Sequence, residues 1–318
     1  MSTQPKAGPA ATAPRPAQTI SMTLILALGI MIAFGPLSHD MYLPAFPIIE
    51  GDFNTSASMV QLSLTACMFG SALGQIVVGP LSDQLGRRRP LIAGLAIYVI
   101  SSLLCAWVPT IHSFVAMRFV QGLSGAAGIV IARAISRDMF SGPALTRFSA
   151  TLSIIFGVAP VLGPIFGGQL IEWVHWQAVF YVLAGIAAVL LIYVLFGLKE
   201  SLPKENRATG GFAQVRRNFG TLFRDRFFLG LALTQGFTVA CMFAYISGSP
   251  FVLQKLHGIT PQQFSLIFAV NCLGQIVLAQ VCGRSAGRIP ERRMIGIGIS
   301  MSVSGATMVL VSVLTDAG

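Results

Sequence analysis

Asp40 and Arg118 are the two ionisable side chains that stand well inside apolar segments of this chain. A charge surrounded by hydrocarbon is costly, about 2.5–3.5 kcal/mol on insertion scales, so such a residue is a functional candidate by default. Each lies six or seven positions from the end of its apolar segment. At about 1.5 Å per residue both sit roughly 10 Å deep, and they could meet. Pro36 and Pro44 flank Asp40 one helical turn to either side; each removes a backbone donor and bends the helix. Interrupted helices at depth point to a binding site. The chemistry open to this pair is proton exchange: Asp40 takes up and releases a proton, and Arg118 holds it ionised in one arrangement and frees it in another. The structural alternative, snorkelling to the headgroups, suits a long Arg better than a short Asp. His39 is adjacent to Asp40 but points about 100° away on a helix, and it reads as a bystander.

Other chemistries find less support. Gly122-Leu123-Ser124-Gly125 fits the G-x-S-G setting of rhomboid-type intramembrane serine proteases, whose nucleophile needs a His base within reach. The four histidines, His39, His112, His175 and His257, all fall near one surface of the membrane, so an enzyme is disfavoured. Cys67, Cys105, Cys241, Cys272 and Cys282 are scattered with no paired spacing and read as core residues in no metal site or disulfide. H-E-x-x-H and the phosphate-binding loop G-x-x-x-x-G-K-[ST] are both missing from the sequence, so no metal, cofactor or ATP is expected.

The elements that must position Asp40 and Arg118 are membrane spans. The chain is 54% hydrophobic and only 10% charged, more apolar surface than a soluble domain of this size can bury. Nine stretches are long enough to cross about 30 Å of hydrocarbon: 21–46, 58–81, 90–108, 111–133, 148–171, 176–197, 227–250, 263–283 and 293–314. The net charge of +10 is no nucleic-acid patch, because 19 of the 21 Lys and Arg residues fall in alternate loops, with Arg133, Arg137 and Arg147 counted in one of them. The opposite loops carry Glu50, Asp52 and Glu172 with Lys255. This asymmetry places the N-terminus and the basic loops in the cytoplasm. Residues 1–19 are rich in Pro and Ala and lack the order of a secretory signal, so they read as a disordered cytoplasmic tail.

Leu73-Gly74-Gln75-Ile76-Val77 reappears as Leu273-Gly274-Gln275-Ile276-Val277, an internal repeat of about 200 residues. Helices seven to nine thus restate one to three, and the expected division is a six-helix bundle at 20–198, a cytoplasmic linker at 199–226 and a partial second bundle at 227–318. The counterparts of helices four to six would follow Gly318, so the chain is expected to be a truncated form of a longer protein.

Three motifs carry a family resemblance. Gly79-Pro80-Leu81-Ser82-Asp83-Gln84-Leu85-Gly86-Arg87-Arg88 resembles the G-x-x-x-D-x-x-G-R-R loop between the second and third helices of the major facilitator superfamily. Arg118-Phe119-Val120-Gln121-Gly122-Leu123-Ser124-Gly125-Ala126 resembles its helix-four motif R-x-x-Q-G-x-x-G-A. Gly163-Pro164 with Gly167-Gly168 is similar to the G-P-x-x-G-G of its proton-driven exporters. With Asp40-Met41-Tyr42-Leu43-Pro44 and Tyr245-Ile246-Ser247-Gly248-Ser249-Pro250, the chain looks like the Bcr/CflA branch of bacterial drug/proton antiporters. The resemblance implies an all-α membrane fold of two parallel six-helix repeats, the second truncated after about nine helices. It further implies a multi-pass inner-membrane exporter, expected as a monomer, that exchanges small drugs or related metabolites for protons.

On that resemblance Asp40 and Arg118 couple to protons, and Tyr42, Gln121 and Tyr245 line the substrate cavity. Gly79, Asp83, Gly86, Arg87 and Arg88, with Pro160, Gly163, Pro164, Gly167 and Gly168, serve gating. Gln84 stands where the family usually has a base, and the loop's partner in the family, an eleventh helix, is lacking. A proton-coupled metabolite transporter of the same fold, or an inactive fragment, is the alternative.

Overall fold

The computed structural model describes residues 22–208, 217, 219–285 and 288–315. The tail at 1–19, part of the linker and the end of the chain therefore lie outside the described residues. Among those described, nine helical stretches are long and apolar enough to cross a membrane. They are built from α1 (Met22–Asp40), α2 (Phe46–Asp52), α3 (Ala57–Leu85), α4 (Arg88–Trp107), α5 (Ile111–Met139), α6 (Gly142–Trp173), α7 (Ala178–Phe196), α8 (Arg226–Phe251), α9 (Pro261–Ser285) and α10 (Glu291–Leu314).

The first span is broken. α1 stops at Asp40, a short 3-10 turn covers Leu43–Ala45, and α2 carries the chain on to Asp52. Pro44 and Pro47 explain the break, because each lacks the N–H that would reach back to the carbonyls of Asp40 and Leu43. The span was expected to end near Phe46; it continues for six residues beyond, so Asp40 lies near the middle of the span.

Helix ends also differ elsewhere. α5 runs past Arg133 and Arg137 to Met139, and α6 begins at Gly142, so residues 140–141 are all that remains of the expected loop. Arg133, Arg137 and Arg147 are helical. Counting apolar residues ends a span where charges begin to recur, whereas hydrogen bonding carries a helix on until a capping or breaking residue is met.

Glycines set the closest packing. A Cβ at Gly122 would run into the carbonyl of Cys67, and one at Gly70 or Gly74 into the carbonyls of Phe119 or Leu123. Small residues at these positions let α3 and α5 lie backbone to backbone, the packing that holds helices together where lipid removes the hydrophobic drive. α4 packs on α5 and α7, α1 on α5 and α6, and α6 on α9. None of the described side chains of α10 is buried.

Candidate functional site

Arg118 is completely buried, under α1. Its Nη2 donates to the Ser38 carbonyl at 2.8 Å and its Nη1 to Gln121 Oε1, whose amide donates on to Ser102 Oγ at 2.7 Å. The guanidinium lies 4.2 Å from the centre of the Tyr42 ring and 5.5 Å from that of Phe180. Cation–π contact of this kind substitutes for water around a desolvated cation. Tyr42 is held in place by its hydroxyl, 3.1 Å from Ser63 Oγ, and by the rings of Phe46, Phe114 and Phe180.

By their depth in the sequence Arg118 and Asp40 could meet, but among the described residues no ion pair joins them. Arg118 turns Nη2 to the backbone two residues before Asp40 and Nη1 to Gln121, while its Nε is buried without a partner among the described residues. The fixed fork of a guanidinium suits a carbonyl and an amide acceptor at once, which the sequence spacing alone did not disclose.

Asp40 instead faces a cavity of about 560 Å³ between α1, α3, α5 and α6 on one side and α8 and α9 on the other. The residue is 5% exposed, and its carboxylate makes no hydrogen bond or ion pair with the described residues. α6 is pressed against this break in the first span. A Cβ at Gly163 would lie 3.4 Å from that of Asp40 and one at Gly167 would overlap the Met41 carbonyl, while Gly168 faces Ser265 of α9. Pro164 leaves the Pro160 carbonyl without its helical donor, and the Cys272 thiol of α9 reaches that oxygen at 3.8 Å.

Of the three expected cavity residues, only Tyr245 lines it, and its hydroxyl is 2.5 Å from Asn271 Nδ2. Tyr42 and Gln121 are buried within the first six spans instead. The cavity also takes in His39, Gln75, Arg133 and Gln275. His39 Nε2 is buried without a partner, so the residue read as a bystander is part of the wall. The signal for Gln75 and Gln275 was present as polar pairs four apart in apolar helices, Ser71 with Gln75 and Asn271 with Gln275. The two copies of the repeat thus deliver Gln75 and Gln275 to one cavity.

The cavity is closed at one end. Lys255 Nζ meets Glu50 Oε2 at 2.6 Å, Gln254 donates to the Pro44 carbonyl at 3.1 Å, Gln61 to the Ser247 carbonyl at 3.2 Å, and Gln262 to Gln169 at 2.8 Å. These contacts all lie toward the Glu50 end of the helices. At the opposite end a second pocket, lined in part by Arg133, Arg137, Ser149 and Ser153, shares Gln75, Ile129, Arg133 and Phe156 with the first.

The basic loop lies at that same end. Arg87 binds Asp83, Ser82 Oγ at 2.9 Å and Asp138 Oδ2 at 2.8 Å. Burial opposes its charge, and the hydrogen bonds to Asp138 and Asp83 outweigh that opposition and raise its pKa. The Glu200 carboxylate accepts from the Arg87 and Arg88 amides at 2.8 and 3.2 Å, capping α4 where an anion is favoured. Arg88 reaches the Val194 and Leu195 carbonyls at the end of α7. Gly86 has φ +89, and a Cβ there would meet Glu200. Gly79 lies loosely against Val130.

Residues 23–318 match the family model described as Major Facilitator Superfamily. The chain is 42% identical over 291 residues to the "Uncharacterized MFS-type transporter YdgK" of Bacillus subtilis (strain 168), which covers 91% of this chain and 72% of that protein. It is 30% identical over 301 residues to the "Bicyclomycin resistance protein homolog" of Haemophilus influenzae, 95% of this chain and 76% of that one. In fold it is similar to a bacterial homologue of the human lysosomal transporter Spinster, with a TM-score of 0.67 at 17% identity over 84% of this chain and 64% of the other. With the family model spanning all the helices and the relatives matching most of their own length, the chain belongs to the Major Facilitator Superfamily of membrane transporters.

Proposed function

We propose that the protein is a proton-driven exporter that moves small drug-like molecules out across the bacterial inner membrane in exchange for protons. The carrying observation is Asp40: an unpartnered carboxylate at a proline-made helix break, on the wall of a cavity sealed at the Glu50 end. A carboxylate in that position can hold either a proton or a solute, and exchange follows if the two compete. The concentration of basic residues at the other end supports a cytoplasmic N-terminus and a cavity loaded from the cytoplasm. The name of the Haemophilus influenzae relative supports a drug as cargo.

In this reading a single chain is the working unit, and residues 20–198 and 227–318 rock against one another about the linker at 199–226. Arg118 acts as a positioning residue, fixing the Ser38 carbonyl and hence the break at Asp40. Gly79, Asp83, Gly86, Arg87 and Arg88, and the Pro160 to Gly168 stretch, set the stiffness of the moving parts.

The test is drug accumulation in efflux-deficient cells with the protein confirmed in the membrane. Bicyclomycin, chloramphenicol-type compounds and sulfonamides are the panel. Lower accumulation that a protonophore abolishes is the expected result; accumulation unchanged across the panel would count against it.

A further inference from the structure

We propose that the cavity selects zwitterions, solutes with an apolar body, a protonated amine at one end for Asp40 and a carboxylate or similar anion at the other for Arg133. The inference rests on the proton-driven export proposed above and names the class of cargo. Among the described residues lining the cavity there is one carboxylate, Asp40, and one guanidinium, Arg133. Arg133 is exposed, lines both adjoining pockets, and makes no ion pair or hydrogen bond with the described residues.

The spacing of the two charges follows from helix register. α1 and α5 run antiparallel, since Ser38 meets Arg118 while Gly128 abuts Met31. Gly35 is level with Ile129, whose Cδ1 would lie 2.9 Å from a Cβ there. Asp40 is five residues beyond Gly35 in one direction and Arg133 four beyond Ile129 in the other. At about 1.5 Å per residue the two levels are some 13 Å apart. An arginine side chain covers only part of that distance, so the charges face each other across room for a drug-sized body. Between them the walls include Phe156, Phe243 and Phe268.

Each simpler charge type leaves one group unmatched. A plain cation satisfies Asp40 and meets Arg133 repulsively, and a plain anion does the reverse; specificity of this kind comes as much from the unpaired charge as from the paired one. The sign of coupling points the same way. An amine and a proton compete for Asp40, as exchange requires, whereas an anion alone would bind best with Asp40 protonated and would travel with the proton.

The experiment uses a fluorescent piperazinyl quinolone carboxylic acid, whose amine and carboxylate lie at opposite ends of one rigid body. Its methyl ester is a cation only and its N-acetyl derivative an anion only. Uptake into inverted vesicles carrying the protein is followed with and without a protonophore. The zwitterion is expected to move at least tenfold faster than either derivative. Arg133→Gln is expected to remove that preference by slowing the zwitterion and, with the repulsion lifted, speeding the ester until the two rates converge, and Arg133→Lys to restore part of it. Protonophore-sensitive movement of the ester at the zwitterion's rate, or an equal loss for all three probes in Arg133→Gln, would overturn the assignment and leave proton-driven export standing. A zwitterion preference that ignores the protonophore would keep the assignment and remove the proton coupling.

Discussion

Asp40 and Arg118 show how two buried charges on neighbouring helices take different tasks. Arg118 is enclosed by rings and acceptors, so its charge is fixed; Asp40 has no such partner and opens on the cavity. Asp40→Asn keeps the shape and removes the proposed proton site. Proton-driven transport is expected to fall at least tenfold in a variant that reaches the membrane at wild-type level, and equal transport in vesicles with an imposed pH gradient would argue against its role. Arg118→Lys keeps the charge and loses the fork that serves Ser38 and Gln121 together. Hydrogen bonds to charged groups contribute about 1.5–3 kcal/mol each, so a lowered midpoint in detergent thermal unfolding is expected. Both residues were legible as charges in apolar sequence. Arg133 was not, because a charge within a few residues of a loop looks like a topology signal until the helix is seen to run on to Met139.

At the scale of helices, the apolar runs were readable because length and hydropathy set by the bilayer dominate them, and every expected span has a counterpart among the described residues. Their ends and contacts were less readable. A proline four residues after Asp40 removes one hydrogen bond in any helix, but whether the helix runs on, as α6 does through Pro160 and Pro164, or stops, as α1 does, depends on neighbours that supply or withhold other partners. Gly167 marks one such neighbour. Gly167→Ala would set a methyl group against the Met41 carbonyl and push α6 from the break, an overpacking cost of about 1–3 kcal/mol. Gly185→Ala is the matched control, with nothing within 4 Å of the new Cβ. Thermal unfolding is expected to separate the two, with Gly167→Ala lower than wild type and Gly185→Ala unchanged or higher; equal midpoints would mean that the α1–α6 contact yields freely.

For the whole molecule, the question is what holds the two sets of helices together at the Glu50 end. The Lys255–Glu50 pair bridges residues 205 positions apart, but the Lys255 side chain is 49% exposed, and ion pairs in water contribute only about 0.2–1 kcal/mol. That is small against folding and sufficient to bias two states of similar energy, since 1 kcal/mol changes a population ratio about fivefold. Glu50→Gln is therefore expected to shift the resting population toward opening at the Glu50 end without lowering thermal stability. A cysteine pair placed at the tips of α2 and α8 and read by cross-linking yield reports that population, which should fall up to fivefold in Glu50→Gln and recover in the charge-swapped double variant Glu50→Lys with Lys255→Glu. Because the pair is partly in water, raising salt should mimic the single variant. If neither salt nor Glu50→Gln moves the cross-linking yield, closure is carried instead by the uncharged contacts, Gln254 on the Pro44 carbonyl and Gln61 on the Ser247 carbonyl. The first of these reads the backbone of the same broken span that carries Asp40, so in that case the seal and the proposed proton site are linked through one stretch of chain, and Gln254→Ala becomes the variant expected to open it.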